Sequence, residues 1–315
     1  MHLNGYKCEG SVLSLSENRE YLSSESGINR AINEGVILEG MAVRCDSEYT
    51  LTVDLGFIRG YIYKEDVQFS LDDSEIKDIA VITRVGKAVC FNVIGYCYEN
   101  GKRALRLSRK EAQRECYENY LCALQKGDII EAKVTHLENF GAFVDIGCGI
   151  VSLLSIDCIS VSRISHPSDR LNVGEKIRVA VKSIDYETGR IYVTHKELLG
   201  TWEENASLFK VGQTVAGVVR SIESYGIFVE LTPNLAGLAE YRPDMTLGQT
   251  TAVYIKNIIP ERMKLKLVII DSYKGENEPN RQCIGYPSDV THIDVWNYSP
   301  KGCSKNIVSD FTTET

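Results

Sequence analysis

VTHLENFGAFVDIG, residues 134–147, carries an aromatic, a glycine and, three residues after the first ring, a second ring: Phe140, Gly141 and Phe143. The ring-Gly-x-ring frame returns in VVRSIESYGIFVEL from Val218, with Tyr225, Gly226 and Phe228. It returns more loosely from Val43 as VRCDSEYTLTVDLG, where Tyr49 is kept and Thr52 replaces the second ring. Aligned on these aromatics, the copies lie 91 and 85 residues apart, well beyond the roughly 20 to 50 residues of solenoid repeats. They are whole domains in tandem.

Each copy reads as short alternating strands. Opening strands are predicted near Asp128 to His136 and Gln213 to Ile222, and the ring-bearing strands over Ala142 to Ile146 and Ile227 to Leu231. Late strands begin at VGEKIRVAVKSID, VGKAVCFNVIGY and the looser LGQTTAVYIKNI. Turn residues such as Glu187-Thr188-Gly189 and Glu99-Asn100-Gly101 close them into antiparallel hairpins. Five strands in about 70 residues fit a small closed barrel of the oligonucleotide-binding class. The chain is therefore expected to be dominated by β-structure, with three such barrels joined by short helices.

The connectors repeat as well. Ser108-Arg109-Lys110-Glu111 and Thr194-His195-Lys196-Glu197 both have the hydroxyl-x-x-carboxylate spacing that satisfies free N–H groups at a helix start. Ala112, Cys116 and Tyr120 then follow at helical spacing. A helix from Ala112 to Leu124 is predicted, and a shorter one around Leu198 to Leu208 containing Trp202, weakened by Gly200. The resulting division is an N-terminal extension (1–34) with a short helix at Gly27 to Asn33, a divergent barrel one (35–108), a linker helix (109–125) and barrel two (126–196). A short helical linker (197–208), barrel three (209–272) and a C-terminal extension packing on barrel three (273–315) complete it.

At 315 residues, 43% hydrophobic and 25% charged, the chain has ordinary globular usage. No stretch approaches the roughly 18 apolar residues of a membrane span, and MHLNGYKCEG lacks the layout of a signal peptide. A cytoplasmic location with no membrane partner is expected. The ten cysteines show no CxxC pair, so free, mostly buried thiols are expected, with neither a metal site nor a cofactor. The net charge of −8 is unevenly spread. Basic against acidic residues number 9 and 9 in residues 126–196, 7 and 6 in 209–272, and 9 and 11 in 35–108. The two later units are close to neutral, which leaves room for a local basic face on each.

In the second unit Ala142, Val144 and Ile146 alternate with Phe143 and Asp145, so burying the first set turns Phe143 outward. Simple alternation would bury Phe140, but a bulge or sharp twist at Gly141 would bring both rings to one surface. Two rings on an open face form a platform for successive bases. The pattern alone leaves platform and core equally open.

The run KGDIIEAKVTHLENFGAFVDIGCGIVSL, followed by VGEKIRVAVKSIDYETGRIYVTHKE, resembles the S1 RNA-binding domain of bacterial ribosomal protein S1 and of several ribonucleases. The likeness spans nearly all of 126–197; residues 209–270 match well and 35–108 weakly. It implies that RNA lies across two aromatics, a His of a Gly-Leu-Val-His segment, and an Asp and an Arg near the last hairpin. Carried over, these positions are Phe140, Phe143, Ser152 (in place of the His), Asp185 and Arg190. In the third unit they are Tyr225, Phe228, Glu240, Ile259 and Lys264, with the acidic Glu240 expected to weaken binding. In the first unit only Tyr49 matches, against Thr52, Tyr63 and Ala104, which implies a barrel that binds RNA poorly and docks instead onto the ribosome or another protein.

No GxxxxGK[ST] phosphate loop occurs, and Gly147 and Gly149 read as tight turns. His292 and Asp294 in THIDVWNYSP need only share a polar strand face, with Ile293, Val295 and Trp296 forming a last strand or clasp. Outside the barrels too few residues remain for a catalytic domain. The sequence therefore points to a non-enzymatic protein that holds single-stranded RNA, mRNA or other. A protein-contact adaptor and a single-stranded DNA binder are the alternatives.

Overall fold

A computed structural model describes residues 6–71, 76–99, 101–273 and 289–312. Its strands close into three five-stranded barrels. The first contains β1 (Leu38–Cys45), β2 (Leu51–Asp54), β3 (Arg59–Ile62), β4 (Ala88–Glu99) and β5 (Lys102–Ser108). The second contains β6 (Ile129–Glu138), β7 (Gly141–Asp145), β8 (Val151–Ser155), β9 (Lys176–Asp185) and β10 (Arg190–Thr194). The third contains β11 (Thr214–Glu223), β12 (Gly226–Thr232), β13 (Leu235–Ala239), β14 (Thr250–Ile259) and β15 (Lys264–Tyr273). In every barrel the third and fifth strands run parallel. This is the closure of the oligonucleotide-binding fold that the repeats predict. The chain packs as two compact units. The first runs to Leu124 and takes in 145–152 and 185–190; the second holds 125–144, 153–184 and the residues from 191 onward.

In the first unit Leu38, Leu51, Ile62, Phe91, Leu105 and Leu107 are fully buried, one inward face per strand. Helices α1 (Ser16–Leu22) and α2 (Glu25–Glu34) add Leu22, Ile28 and Ala31 to this core. The Ser24 side chain caps α2 by accepting from the Gly27 amide, and Gly35 ends it at φ 62°. The preceding strap is fixed by the buried Glu39 carboxylate, which accepts from the amides of Gly10, Val12 and Leu13 at 2.9, 2.9 and 2.7 Å. A one-turn helix, α3 (Asp78–Ile82), precedes β4. The linker helix α4 (Arg109–Asn119) starts under the Ser108 cap, as its spacing predicts, and buries Ala112 and Cys116. It stops at Tyr120, and Leu121–Ala123 continue only as a 3-10 turn. The nine described cysteines are free, and Cys8, Cys90, Cys116, Cys148 and Cys158 are buried. Cys283 lies outside the described residues.

In the second unit the predicted connector over 198–208 divides at Gly200. Lys196–Leu199 form a 3-10 turn, Gly200 takes φ 78°, and α5 (Trp202–Ser207) follows. Its capping box is Thr201 with Glu204, not Thr194 with Glu197. The Thr194 hydroxyl instead donates to the Glu197 carboxylate inside the protein, at 2.6 Å. Trp202 joins Trp296 and Tyr298 in the core of the third barrel. Asn234, in the turn between β12 and β13, is fully buried. It accepts from the Val161 amide at 2.9 Å and donates to the carbonyls of Lys196 and Gly200 at 2.8 and 2.9 Å. The C-terminal segment touches two barrels. Ile129 and Ile293 exchange backbone bonds with Thr291 and Gly127 at 2.8 and 2.9 Å, while β16 (Val295–Asn297) pairs with β17 (Val308–Asp310).

Candidate nucleic-acid interface

Phe140 lies in the turn before β7 rather than on the strand, so strand alternation does not bury it. Its ring is 55% exposed and meets the half-buried Phe143 edge to face, with centroids 6.0 Å apart at 87°. Tyr225 stands in the same turn before β12, 68% exposed, and meets Phe228 at 6.3 Å and 88°. Edge-to-face pairs of this kind are mutually attractive, so each holds its outer ring without enclosing it.

Gly141 contributes closeness rather than a bulge. A Cβ there would lie 2.5 Å from the Leu154 carbonyl oxygen, and at Gly226 one would lie 2.6 Å from that of Ala239. The bulge falls on the neighbouring first strand, between Val219 and Ser221, and sets Ser221 opposite Phe228. In the second barrel that neighbour is His136, whose ring stacks on Phe143 with centroids 6.4 Å apart at 20°. Its imidazole also contacts Glu138 at 2.8 Å. The sequence reading missed His136, because adjacency across strands depends on a register that a one-residue bulge shifts.

The same register corrects Ser152. It is 2% exposed and faces the protein interior. Leu153 and Leu154 pair with Tyr192 and Val193, as Leu238 and Ala239 pair with Lys266 and Leu267. Ser155, not Ser152, therefore occupies the place of Glu240. It is half-buried, and its Cα would lie 3.0 Å from a Cβ on Gly141. Glu240 itself is exposed at the end of β13.

Asp185 works on its own turn. Its carboxylate accepts from the Thr188 hydroxyl at 2.6 Å and from the amides of Glu187 and Thr188 at 3.0 and 3.2 Å. The Thr188 bonds, with the adjoining Glu187 amide and the Arg190 charge, hold it below the usual carboxylate range. Arg190 and Lys264 are exposed at the starts of β10 and β15, at equivalent places in the parallel register.

In the first barrel the corresponding surface is occupied. Lys64 lies over the Tyr49 ring, 4.9 Å from its centroid, and is paired with Asp78 at 2.7 Å. Tyr63 donates to Glu99 at 2.5 Å, and Ala104 is buried.

Residues 123–196 match the family model described as the S1 RNA binding domain. The middle barrel is similar to S1 RNA binding domains over its whole length. Longer stretches of the chain match parts of larger proteins. Small ribosomal subunit protein bS1 of Rhizobium meliloti is 36% identical over 138 residues, 44% of this chain and 23% of that protein. The bS1 homolog of Bacillus cereus is 28% identical over 247 residues, 72% of this chain and 61% of the other. A 4-hydroxy-3-methylbut-2-enyl diphosphate reductase of Clostridium tetani is 28% identical over 313 residues, 86% of this chain and 48% of that protein. The chain thus spans from 23% to 61% of these relatives' lengths.

Proposed function

We propose that this chain holds single-stranded RNA on the ring pairs of its second and third barrels, without catalysis, in translation or RNA metabolism. The observation that carries the reading is the exposed edge-to-face pair, built twice on the same strand-start glycine, once inside the barrel similar to S1 domains. Rings presented this way stack unpaired bases and have no access to bases inside a duplex. Arg190 and Lys264 supply phosphate contacts, and His136 and Ser155 adjoin the second-barrel rings. The bS1 relatives are ribosomal proteins by name, which supports a ribosome-associated, cytoplasmic setting. Among the described residues no helix is long and apolar enough to cross a membrane.

The test is fluorescence anisotropy with labelled oligouridylate and the matching deoxyoligonucleotide. Micromolar or tighter RNA binding, lost in a Phe143→Ala, Phe228→Ala chain that stays folded, supports the reading. Equal affinity for both polymers assigns the surface to single strands in general, since only RNA offers the 2′-hydroxyl.

A second reading is favoured by the first barrel. Its matching Tyr49 is covered by Lys64, while Ile79, Ile82 and Val43 are 62%, 48% and 51% exposed. We assign that barrel to protein contact, including the ribosome. Crosslinking in cells followed by sequencing and mass spectrometry distinguishes this from RNA contact.

A further inference from the structure

In the third barrel Phe228 pairs with Leu238 on β13, Leu238 with Lys266 on β15, and Lys266 with Asn257 on β14. These four residues form one transverse row across the outer surface. Phe228 and Leu238 are half-buried, and Lys266 and Asn257 are exposed. Two strand spacings separate Phe228 from Lys266, about 10 Å. Lys264, two residues back on β15, shares the outward face, since Leu265 and Leu267 between and beyond them are buried. Lys256, exposed at the β14 irregularity between Ile255 and Asn257, lies beside them. None of these three lysines makes an ion pair among the described residues. A free cluster of three stands out in a chain of net charge −8.

The register also places the acidic group. Leu238 is level with Lys266, so Glu240, two residues further along the parallel strand, is level with Val268. A strand of RNA leaving Phe228 along the Leu238–Lys266 row therefore passes about 7 Å from the level of Glu240. Glu261 lies in the turn beyond Lys264, and Asp271 lies toward the other end of β15. In the second barrel Tyr192 occupies the register of Lys266.

We propose that Lys266, with Lys264 and Lys256, forms a phosphate-gripping strip that carries single-stranded RNA across β13 and β15 away from Glu240. The strip rests on the reading of Tyr225 and Phe228 as a base platform. Ammonium groups on flexible stems suit the phosphates of an unpaired strand, where no fixed bidentate geometry is presented. The third barrel grips by several point charges where the second relies on Arg190 and stacking.

The experiment uses the full chain carrying Phe143→Ala, so that the third barrel dominates, and labelled 12-nucleotide oligouridylate at several salt concentrations. Lys266→Gln is expected to weaken binding several-fold and to reduce the slope of log K against log salt by about 0.7, the value for one phosphate contact on a single strand. Lys256→Gln with Lys266→Gln should remove about twice that. An unchanged slope with Lys266→Gln, while Phe228→Ala abolishes binding, overturns the strip and leaves the platform standing. No effect from either Lys266→Gln or Phe228→Ala overturns both.

Discussion

Phe143 is contacted by aromatic rings from two directions: Phe140 meets it edge on at 6.0 Å, and His136 lies nearly parallel to it at 6.4 Å. It is the central ring of the second-barrel surface, half-buried while Phe140 is open to solvent. Phe143→Ala should therefore cost more binding than Phe140→Ala, because it removes one stacking face and the support of the other. A stacked base contributes about 1–3 kcal/mol, so anisotropy should show a loss of about fivefold or more for Phe143→Ala. The thermal midpoint should change little, since the ring is not part of the barrel interior. Equal losses for the two variants would remove the central role.

Gly141 offers a separate handle on the same surface. A methyl group there meets the Leu154 carbonyl oxygen at 2.5 Å and the Ser155 Cα at 3.0 Å, and both are backbone atoms that yield only if β8 moves. Gly141→Ala should destabilise by about 1–3 kcal/mol, the usual cost of overpacking, read from a urea midpoint. It should also weaken RNA binding by shifting Phe140. Gly95 is the control glycine, because a methyl group added there would meet nothing within 4 Å, and Gly95→Ala should leave both measurements unchanged.

Asn234 tests the joint between the second and third barrels. Its amide oxygen accepts from Val161 and its amide nitrogen serves two carbonyls, all inside the protein. Asn234→Ala leaves these groups without their partner, each at about 1–3 kcal/mol. Asn234→Asp keeps the shape but turns a carboxylate oxygen toward the Lys196 and Gly200 carbonyls. It should destabilise more than alanine at neutral pH, and part of the loss should be recovered when acid protonates the carboxylate. Denaturant unfolding at two pH values checks the order.

How much of this was legible follows from distance along the chain. The rings at Phe140, Phe143, Tyr225 and Phe228 could be read because each pair is separated by two residues and its geometry is set by one strand start. The Ser108 cap was readable for the same reason. Ser152 was misplaced because the Gly149-Ile150-Val151-Ser152 string imitates the family's segment while starting in the loop before β8, where Gly149 takes φ 72°. The true equivalence is set by pairing with β10. Thr194 has the same spacing as a cap but is buried against Glu197, and the box lies seven residues later at Thr201. Tyr49 matched its family position, yet the covering of its ring by Lys64 and Asp78 comes from residues 15 and 29 positions away. Local chemistry was visible; register and cross-strand neighbours were not.

His292 makes the C-terminal clasp pH-dependent. Its Nδ1 lies 2.7 Å from Asp128 and its Nε2 3.4 Å from Asp294. The bond to Asp128 raises its pKa, assisted by the charge of Asp294. A raised histidine value means that the folded form holds the proton more tightly than the unfolded form. The stabilisation is then complete below the unfolded value of about 6.5 and is lost as pH rises through the folded value. Hydrogen exchange at the Ile129 and Ile293 amides, corrected for intrinsic rate, should show protection falling over that range. Asp128→Asn should flatten the dependence, and a profile unchanged by that substitution would remove His292 as its source.

Arg190 and Lys64 provide the sharpest contrast between the barrels, because each is a cation of a barrel that carries the aromatic turn. Lys64 is committed within its own barrel to Asp78 at 2.7 Å and to the face of Tyr49, so its charge is largely compensated before any polyanion arrives. Arg190 is exposed at the start of β10. Its guanidinium can exchange counterions for a phosphate, and each such exchange on a single strand contributes about 0.7 to the slope of log K against log salt. Arg190→Gln should lower the slope by that amount, and Lys64→Gln should leave it unaltered although both remove one positive charge. Equal changes in the two variants would mean that the salt dependence reports net charge rather than contact, and the phosphate role of Arg190 would fall with it.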